Sequence, residues 1–305
     1  MSFTAPIADI TFLAKLFGLD QLETDGLAPE LADGLAEAVL EEAGKFATDR
    51  IAPLNRIGDT IGARFDKGHV TTAPGWTETY RDWANGGWNG LTASVDHGGQ
   101  GLPHLLHLAC SDMWTSASMA FMLGPMLTSG AIDALAAHGS DELKRIYLGK
   151  LVSGEWMGTM NLTEPQAGSD VGALKTRAER LNDGSYRITG QKIYITYGEH
   201  DMTENIIHLV LARFPDAPQG SRGISLFLVP KFLVNADGSL GARNDVRCAG
   251  LESKLGIYED LSKEMLDKLE RAVASISESS NRVAIILERH EARLDESDKN
   301  DQLIV

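Results

Sequence analysis

The chain has 305 residues, 43% apolar and 23% charged, which excludes a wholly disordered polymer and a membrane-embedded fold and leaves room for two or three packed domains. With 28 basic and 43 acidic side chains its formal charge is −15, a field that repels polyanions, so nucleic acid is not an expected partner. A small anionic ligand stays compatible, because backbone amides and hydroxyls hold such groups locally.

In chain order, the first half reads as helices. Leu31, Leu35, Ala38, Val39 and Phe46 recur at helical spacing after Pro29, and the pattern predicts a helix that stops before Pro53. Trp76, Tyr80 and Trp83 repeat the spacing until Asn85, Gly86 and Gly87 end it, and a glycine-rich loop follows to Pro103. Further helices are expected over about Leu105 to Ser118, Leu127 to His138 and Asp141 to Leu151, the last with Ser140 as N-cap. Met113 to Ile132 carries no charge, but its serines, threonines, glycines and Pro125 predict two buried helix ends with a break at Gly124 and Pro125, not a membrane span. Met1 to Lys15 has no basic segment before its apolar residues, so no signal peptide is read there.

After Gly154 the period changes. Tyr186 and Ile188 follow the turn Asn182, Asp183, Gly184, and Ile193 to Ile195, Ile206 to Ala212 and Ile224 to Val229 read as short strands. From Tyr258 the pattern becomes a charged helix with Leu266, Leu269, Val273, Ile276, Val283, Leu287 and Leu294 near heptad spacing. The fold class is therefore α+β: an N-terminal helical domain (1–154), a middle antiparallel β domain (155–257), and a long amphipathic helical tail (258–305).

Several common chemistries have no motif here: no GxGxxG after a strand, no GxxxxGK[ST], no HExxH and no GxSxG. His104, His107 and Cys110 share a helical spacing, but without a fourth ligand they read as ordinary helix residues, and no metal is expected. Cys110 and Cys248 are the only cysteines; they lie far apart with no CxxC spacing, which fits a reducing cytoplasm.

The concentrated signal is Met160 to Ala173, a strand end running into a loop with two hydroxyls, Thr163 and Ser169, and the small residues Ala167, Gly168 and Gly172. Small residues let a backbone approach a flat ligand or a phosphate, and hydroxyls and free amides then bond it. Glu164 and Asp170 would repel a phosphate, so they are expected to turn away and pin the loop. By spacing alone the run is equally a tight β-turn.

Leu162-Thr-Glu-Pro-Gln-Ala-Gly-Ser-Asp170 resembles the first signature of the acyl-CoA dehydrogenase family, and Gln191-Lys-Ile-Tyr-Ile-Thr196 resembles its second flavin-contacting strand. The resemblance covers about Met1 to Ile257 and is strongest toward the large bacterial subgroup that includes the 3-methylmercaptopropionyl-CoA dehydrogenases. It implies FAD as cofactor, an acyl-CoA thioester as substrate and an electron-transfer acceptor. In that chemistry a glutamate takes the α proton while the β hydride passes to the flavin. By matching position, Met160 and Leu162 would flank the isoalloxazine, Thr163 would bond its pyrimidine side, and Gly168 and Ser169 would lie by the pyrophosphate, with Ser169 also near the entering thioester. Tyr194, where many members carry Trp, would pack on the ring and Thr196 would bond near N5. Asn161 departs from the small residue usual at the opening of the signature.

Beyond Ile257 the resemblance stops. The family's helical bundle, which carries the catalytic glutamate, is expected there, yet Tyr258 to Val305 has 12 acids, 7 bases and a coiled-coil-like seam, and none of its glutamates lies in a matching motif. No catalytic base is therefore assigned. The resemblance predicts impaired dehydrogenation, and the seam suggests a homo-oligomer or, alternatively, a non-catalytic scaffold associating through the tail.

Overall fold

A computed structural model describes residues 3–235 and 237–252; the expected tail helix of 258–305 lies outside the described residues. The N-terminal half is built by α1 (Ile7–Leu16), α2 (Leu19–Thr24), α3 (Leu35–Phe46), α4 (Ala52–Thr60), the hairpin β1 (Arg64–Asp66) and β2 (His69–Thr71), then α5 (Trp76–Asn85), α6 (His104–Ala117), α7 (Met119–His138), α8 (Asp141–Leu143) and α9 (Gly149–Val152). Its core is aromatic: Trp83 and Trp114 meet edge to face at 4.6 Å between ring centroids, and Trp88 and Phe46 close around them. A buried indole N–H is stabilised by a partner, and both have one: Trp83 donates to Asn89 Oδ1 at 2.8 Å and Trp114 to the Ala43 carbonyl at 3.0 Å.

Two prolines behave differently from the sequence expectation. The helix does not stop before Pro53: a π-helical turn, Ala47–Ile51, joins α3 to α4, with the Ala52 N–H bonding the Ala47 carbonyl, and Pro53 follows directly after this widened turn. Nor does Gly124-Pro125 break the chain. The break falls at Ser118, whose hydroxyl accepts the Phe121 N–H at 3.4 Å, and α7 runs unbroken through Pro125. This helix is the one, among the described residues, long and apolar enough to cross a bilayer by length and composition. Here it packs on the sheet, where Thr128 Oγ accepts the Gly158 N–H at 3.1 Å and a Cβ on Gly158 would lie 2.4 Å from that of Ala131. Ser140 caps the next helical stretch, accepting the Leu143 N–H at 3.3 Å, and a π-helical turn, Lys144–Leu148, separates α8 from α9. Cys110 is wholly buried in the aromatic core, where burial pushes its thiol up to about 12.

The second half carries β3 (Trp156–Asn161), β4 (Arg177–Arg180), β5 (Tyr186–Thr189), β6 (Asn205–Arg213), β7 (Ile224–Pro230) and the pair β8 (Phe232–Val234) and β9 (Leu240–Arg243). The main sheet is mixed, a correction to the expected antiparallel arrangement. β6 is parallel to β3, with Trp156 opposite Asn205, and meets β4 in parallel at Arg177 and Arg213; β7 is antiparallel to β6, and β4 to β5. The parallel pair forces a long crossover from Leu162 to Glu204, and that crossover holds both motifs singled out above.

The expected strand at Ile193 to Ile195 does not form. Only one ladder-like bond remains, from the Ile193 N–H to the Thr163 carbonyl at 2.9 Å, and Tyr194 and Tyr197 both take the left-handed backbone region, with φ of 56° and 52°. Buried charge at each end holds this segment out of the sheet. At one end Glu164, 3% exposed, accepts Lys192 Nζ at 2.8 Å and the backbone N–H groups of Lys175 at 2.6 Å and Thr176 at 3.0 Å. Burial alone would raise this carboxyl; the Lys192, Thr176 and Lys175 bonds outweigh it and bring it down to about 2. At the other end Glu199, 5% exposed, pairs with Lys231 and with Arg243 at 3.3 Å. His200 and His208 are buried beside Lys231, and desolvation, reinforced by that ammonium, holds them neutral down to about 3 and about 4.

The glycine loop Gly98-Gly-Gln-Gly101 is a packing device. Gly98 has φ +85°, and a Cβ on Gly99 would lie 2.1 Å from the Ala93 carbonyl oxygen. Gly99→Ala is expected to lower unfolding stability by about 2 kcal/mol in urea melts. Lys192→Met, which leaves Glu164 buried and unpaired, is expected to cost about 3–5 kcal/mol, and more than the double change with Glu164→Gln. The pH dependence has two windows. The unfolded chain protonates His200 and His208 below about 6.5 while the fold keeps them neutral, so stability falls as pH drops from about 6.5 toward 4. Glu164 is depressed, so its contribution is whole above about 4.5 and disappears between there and about 2. A urea midpoint flat between pH 7 and 4 would contradict the first window.

Candidate cofactor site

The crossover brings two stretches side by side at the end of β3. The Thr163 carbonyl accepts the Ile193 N–H, the Leu162 carbonyl accepts Lys192 Nζ at 3.1 Å, and Thr159 Oγ donates to the Thr196 carbonyl at 2.5 Å. Met160, Leu162 and Thr163 therefore lie beside Tyr194 and Thr196, although the two stretches are 30 residues apart in sequence. Met160, Leu162, Thr163 and Thr196 are half-buried, and the Tyr194 ring is 45% exposed.

Beyond Thr163 the chain makes the tight turn that spacing alone allowed. Glu164 and Ala167 exchange backbone hydrogen bonds at 3.0 and 2.9 Å, and Ala167 is wholly buried beneath them. Gly168 and Ser169 follow it on the surface and are joined to the Tyr194 side only through this turn. Glu164 does turn away and pin the loop, as expected, whereas Asp170 is exposed and its carboxylate has no hydrogen-bond partner among the described residues. The loop's far end is held by Arg213, whose guanidinium donates to the carbonyls of Gly172 at 2.9 Å, Gly220 at 2.7 Å and Pro218 at 2.6 Å.

These features fit a flat ligand with a polar edge and a phosphate. The hydroxyls of Thr163 and Ser169 have no hydrogen-bond partner among the described residues, and Gly168 has open space where a Cβ would stand, with no positive φ to demand glycine. The turn thus spends none of its hydroxyls on its own folding and leaves a side-chain-free edge next to them. Asn161, the unusual residue before Leu162, is buried with its Oδ1 unbonded.

Sequence reasoning missed the residues that hold the site: Lys192, Glu199 and Lys231. A lysine between Gln191 and the apolar Ile193 is a visible oddity, but its partner 28 residues away is not. Tyr197 was also passed over; its ring lies at Gly124 of α7 and its hydroxyl is bonded into the helical half.

Comparison with known proteins agrees with the geometry. Residues 35–155 match the acyl-CoA dehydrogenase N-terminal domain and residues 159–256 the acyl-CoA dehydrogenase middle domain, while residues 241–305 match a coiled-coil region of unknown function. The 3-methylmercaptopropionyl-CoA dehydrogenase of Ruegeria pomeroyi is 48% identical over 258 residues, which is 84% of this chain and 44% of that protein. A butyryl-CoA dehydrogenase of Syntrophomonas wolfei is 40% identical over 226 residues, 73% of this chain and 37% of its own length. The chain therefore spans less than half the length of these relatives. Among solved structures, an acyl-CoA dehydrogenase from Bacillus anthracis complexed with FAD superposes with a TM-score of 0.53 at 22% identity, covering 67% of this chain and 32% of that one, a likeness of fold. Paired domains in family order, with both signatures meeting at the end of β3, place this chain in the acyl-CoA dehydrogenase family through its N-terminal and middle domains.

Proposed function

We propose that the site binds FAD and serves the α,β-dehydrogenation of an acyl-CoA thioester. The supporting observation is the pair of unbonded hydroxyls, Thr163 and Ser169, on the two arms of the Glu164–Ala167 turn, with the open edge of Gly168 next to Ser169 and the Thr163 carbonyl bonded to the residue before Tyr194. Thr163 and Thr196 would orient the ring system through hydrogen bonds, Met160, Leu162 and Tyr194 would pack against it, and the Gly168 and Ser169 amides would hold the pyrophosphate. When bound, the flavin supplies a hydride acceptor. Ser169 would meet the entering thioester, and an electron-transfer acceptor would take the electrons onward.

Proton abstraction is the half of the reaction these residues do not supply. Glu164 and Glu199, the acids buried beside the segment from Lys192 to His200, are both committed to ion pairs, and Glu164 is held down at about 2. Neither is poised to take an α proton. We therefore propose weak turnover by this chain alone, with a soluble, cytoplasmic setting.

The coiled-coil match of residues 241–305 supports a second reading, association through the tail. In it the chain is a flavin-binding or non-catalytic body carried into an oligomer. Sedimentation of the full chain against one lacking 258–305 distinguishes the two: loss of the oligomer on deletion supports the tail, and an unchanged profile removes that reading.

Titration of the purified chain with FAD is expected to saturate and to quench flavin fluorescence. Thr163→Val should weaken binding by up to about tenfold, the effect of one lost hydrogen bond. Absence of any flavin uptake by the unmodified chain would sink the proposal. With an acyl-CoA and an artificial electron acceptor, turnover is expected to lie about 10² to 10⁴-fold below that of an enzyme possessing its general base.

A further inference from the structure

α7 carries a proline seven residues into a 20-residue helix. Pro125 has no N–H to give to the carbonyl four residues earlier, that of Phe121, so the ladder is open at this turn. Gly124 beside it has no side chain, which lets β3 and the Tyr197 ring approach: a Cβ on Gly124 would lie 2.6 Å from Met157 Cε and 3.3 Å from the Tyr197 Cδ2 and Cε2 atoms. The Tyr197 hydroxyl reaches the opened turn, 2.7 Å from the Ala120 carbonyl and 3.5 Å from that of Phe121, and it accepts the Trp76 Nε1–H of α5 at 2.9 Å. Trp76 is itself buried, its ring edge seated where a Cβ on Gly58 would be 2.5 Å away.

Tyr197 occupies this position against a local preference. The Gly198 N–H bonds the Ile195 carbonyl at 3.2 Å, closing a turn with Thr196 and Tyr197 as its central residues. Tyr197, the second of them, has φ of 52°, a conformation that suits glycine or asparagine and penalises an aromatic side chain. Such a residue persists where its side chain is held from outside. Thr196 is thereby fixed from two sides: its carbonyl accepts Thr159 Oγ from β3, and the next residue is fastened to α5 and α7.

We infer that Tyr197 is a positioning residue, a bolt that fastens the cofactor-facing segment Tyr194 to Thr196 to the helical domain through the proline-opened turn of α7. Its hydroxyl is bonded into the helical half, and the inference rests on the flavin reading of the site given above. Through it, the two domains set the position of the flavin-facing arm jointly. Changes at Trp76, remote from Thr163, act on flavin binding by moving this arm.

The test uses the full chain with Tyr197→Phe, Trp76→Phe and the double variant, and measures the FAD dissociation constant, the visible spectrum of bound flavin, and hydrogen exchange at the Gly198 amide without FAD. Expected are dissociation constants raised by about three- to tenfold in each single variant, faster exchange at Gly198, a shifted flavin spectrum, and a double variant no worse than Tyr197→Phe. Tyr197→Gly, which relieves the backbone and removes the bolt, should bind FAD more weakly than Tyr197→Phe. If the unmodified chain binds FAD and Tyr197→Phe binds it with unchanged affinity and spectrum, the positioning role is overturned and the flavin reading stands, even if the variant melts earlier. If the unmodified chain binds no FAD, the flavin reading falls and the bolt's role with it.

Discussion

A carboxylate 3% exposed to water has to be fully paired, and Glu164 meets that demand by gathering groups from three separate stretches of chain. It takes Lys192 from the arm that bears Tyr194, the amides of Lys175 and Thr176 from the stretch entering β4, and the Gln166 amide from its own turn. The long crossover between β3 and β6 has no ladder of its own over most of its length, so this buried acid is what gives it a definite path. With the acid turned inward, the opposite side of the turn is free to show Thr163 and the bare edge of Gly168.

The same device recurs at the other end of the arm, where Glu199 binds Lys231 and Arg243 beside two neutral, buried histidines. Between these two ion pairs lie Ile193 to Gly198, which would be a loose loop by hydrogen-bond count but carry two left-handed tyrosines. Strain of that kind survives only where packing over-determines the backbone. The helical half supplies that packing through Trp76 and the opened turn of α7. A buried, paired acid thus belongs to the scaffold of the site rather than to its chemistry.

Much of this was legible in sequence. Helical periodicity placed α5 and α6 almost to the residue, Ser140 capped its helix as read, and the Asn182-Asp183-Gly184 turn does join β4 to β5. The signatures at Leu162 to Asp170 and Gln191 to Thr196 lie on the two stretches that meet at the end of β3. The errors were at two prolines, at one strand and in the direction of the sheet, expected antiparallel and found mixed. Pro53 and Pro125 looked like terminators because a proline rejects one hydrogen bond; an adjoining π-helical turn accommodates the first, and α7 runs on through the second with the Tyr197 hydroxyl, 72 residues away in sequence, at the opened turn. Ile193 to Ile195 looked like a strand because its residues favour one, but the competing demands of Lys192 and Tyr197 are tertiary.

The sequence alone determined composition, helix spacing, turn chemistry and the presence of two family signatures, since each is written in neighbouring residues. Only the tertiary structure decided that β3 and β6 run parallel, that the two signatures meet at the end of β3, and that Glu164 pairs with Lys192 while the Thr163 hydroxyl stays unbonded. Those outcomes depend on pairing a buried charge and filling space between groups 28 to 121 residues apart, from Glu164 with Lys192 to Trp76 with Tyr197. No local pattern encodes a partner at that distance; it is selected by the cost of leaving a charge or a polar group unpaired in the interior.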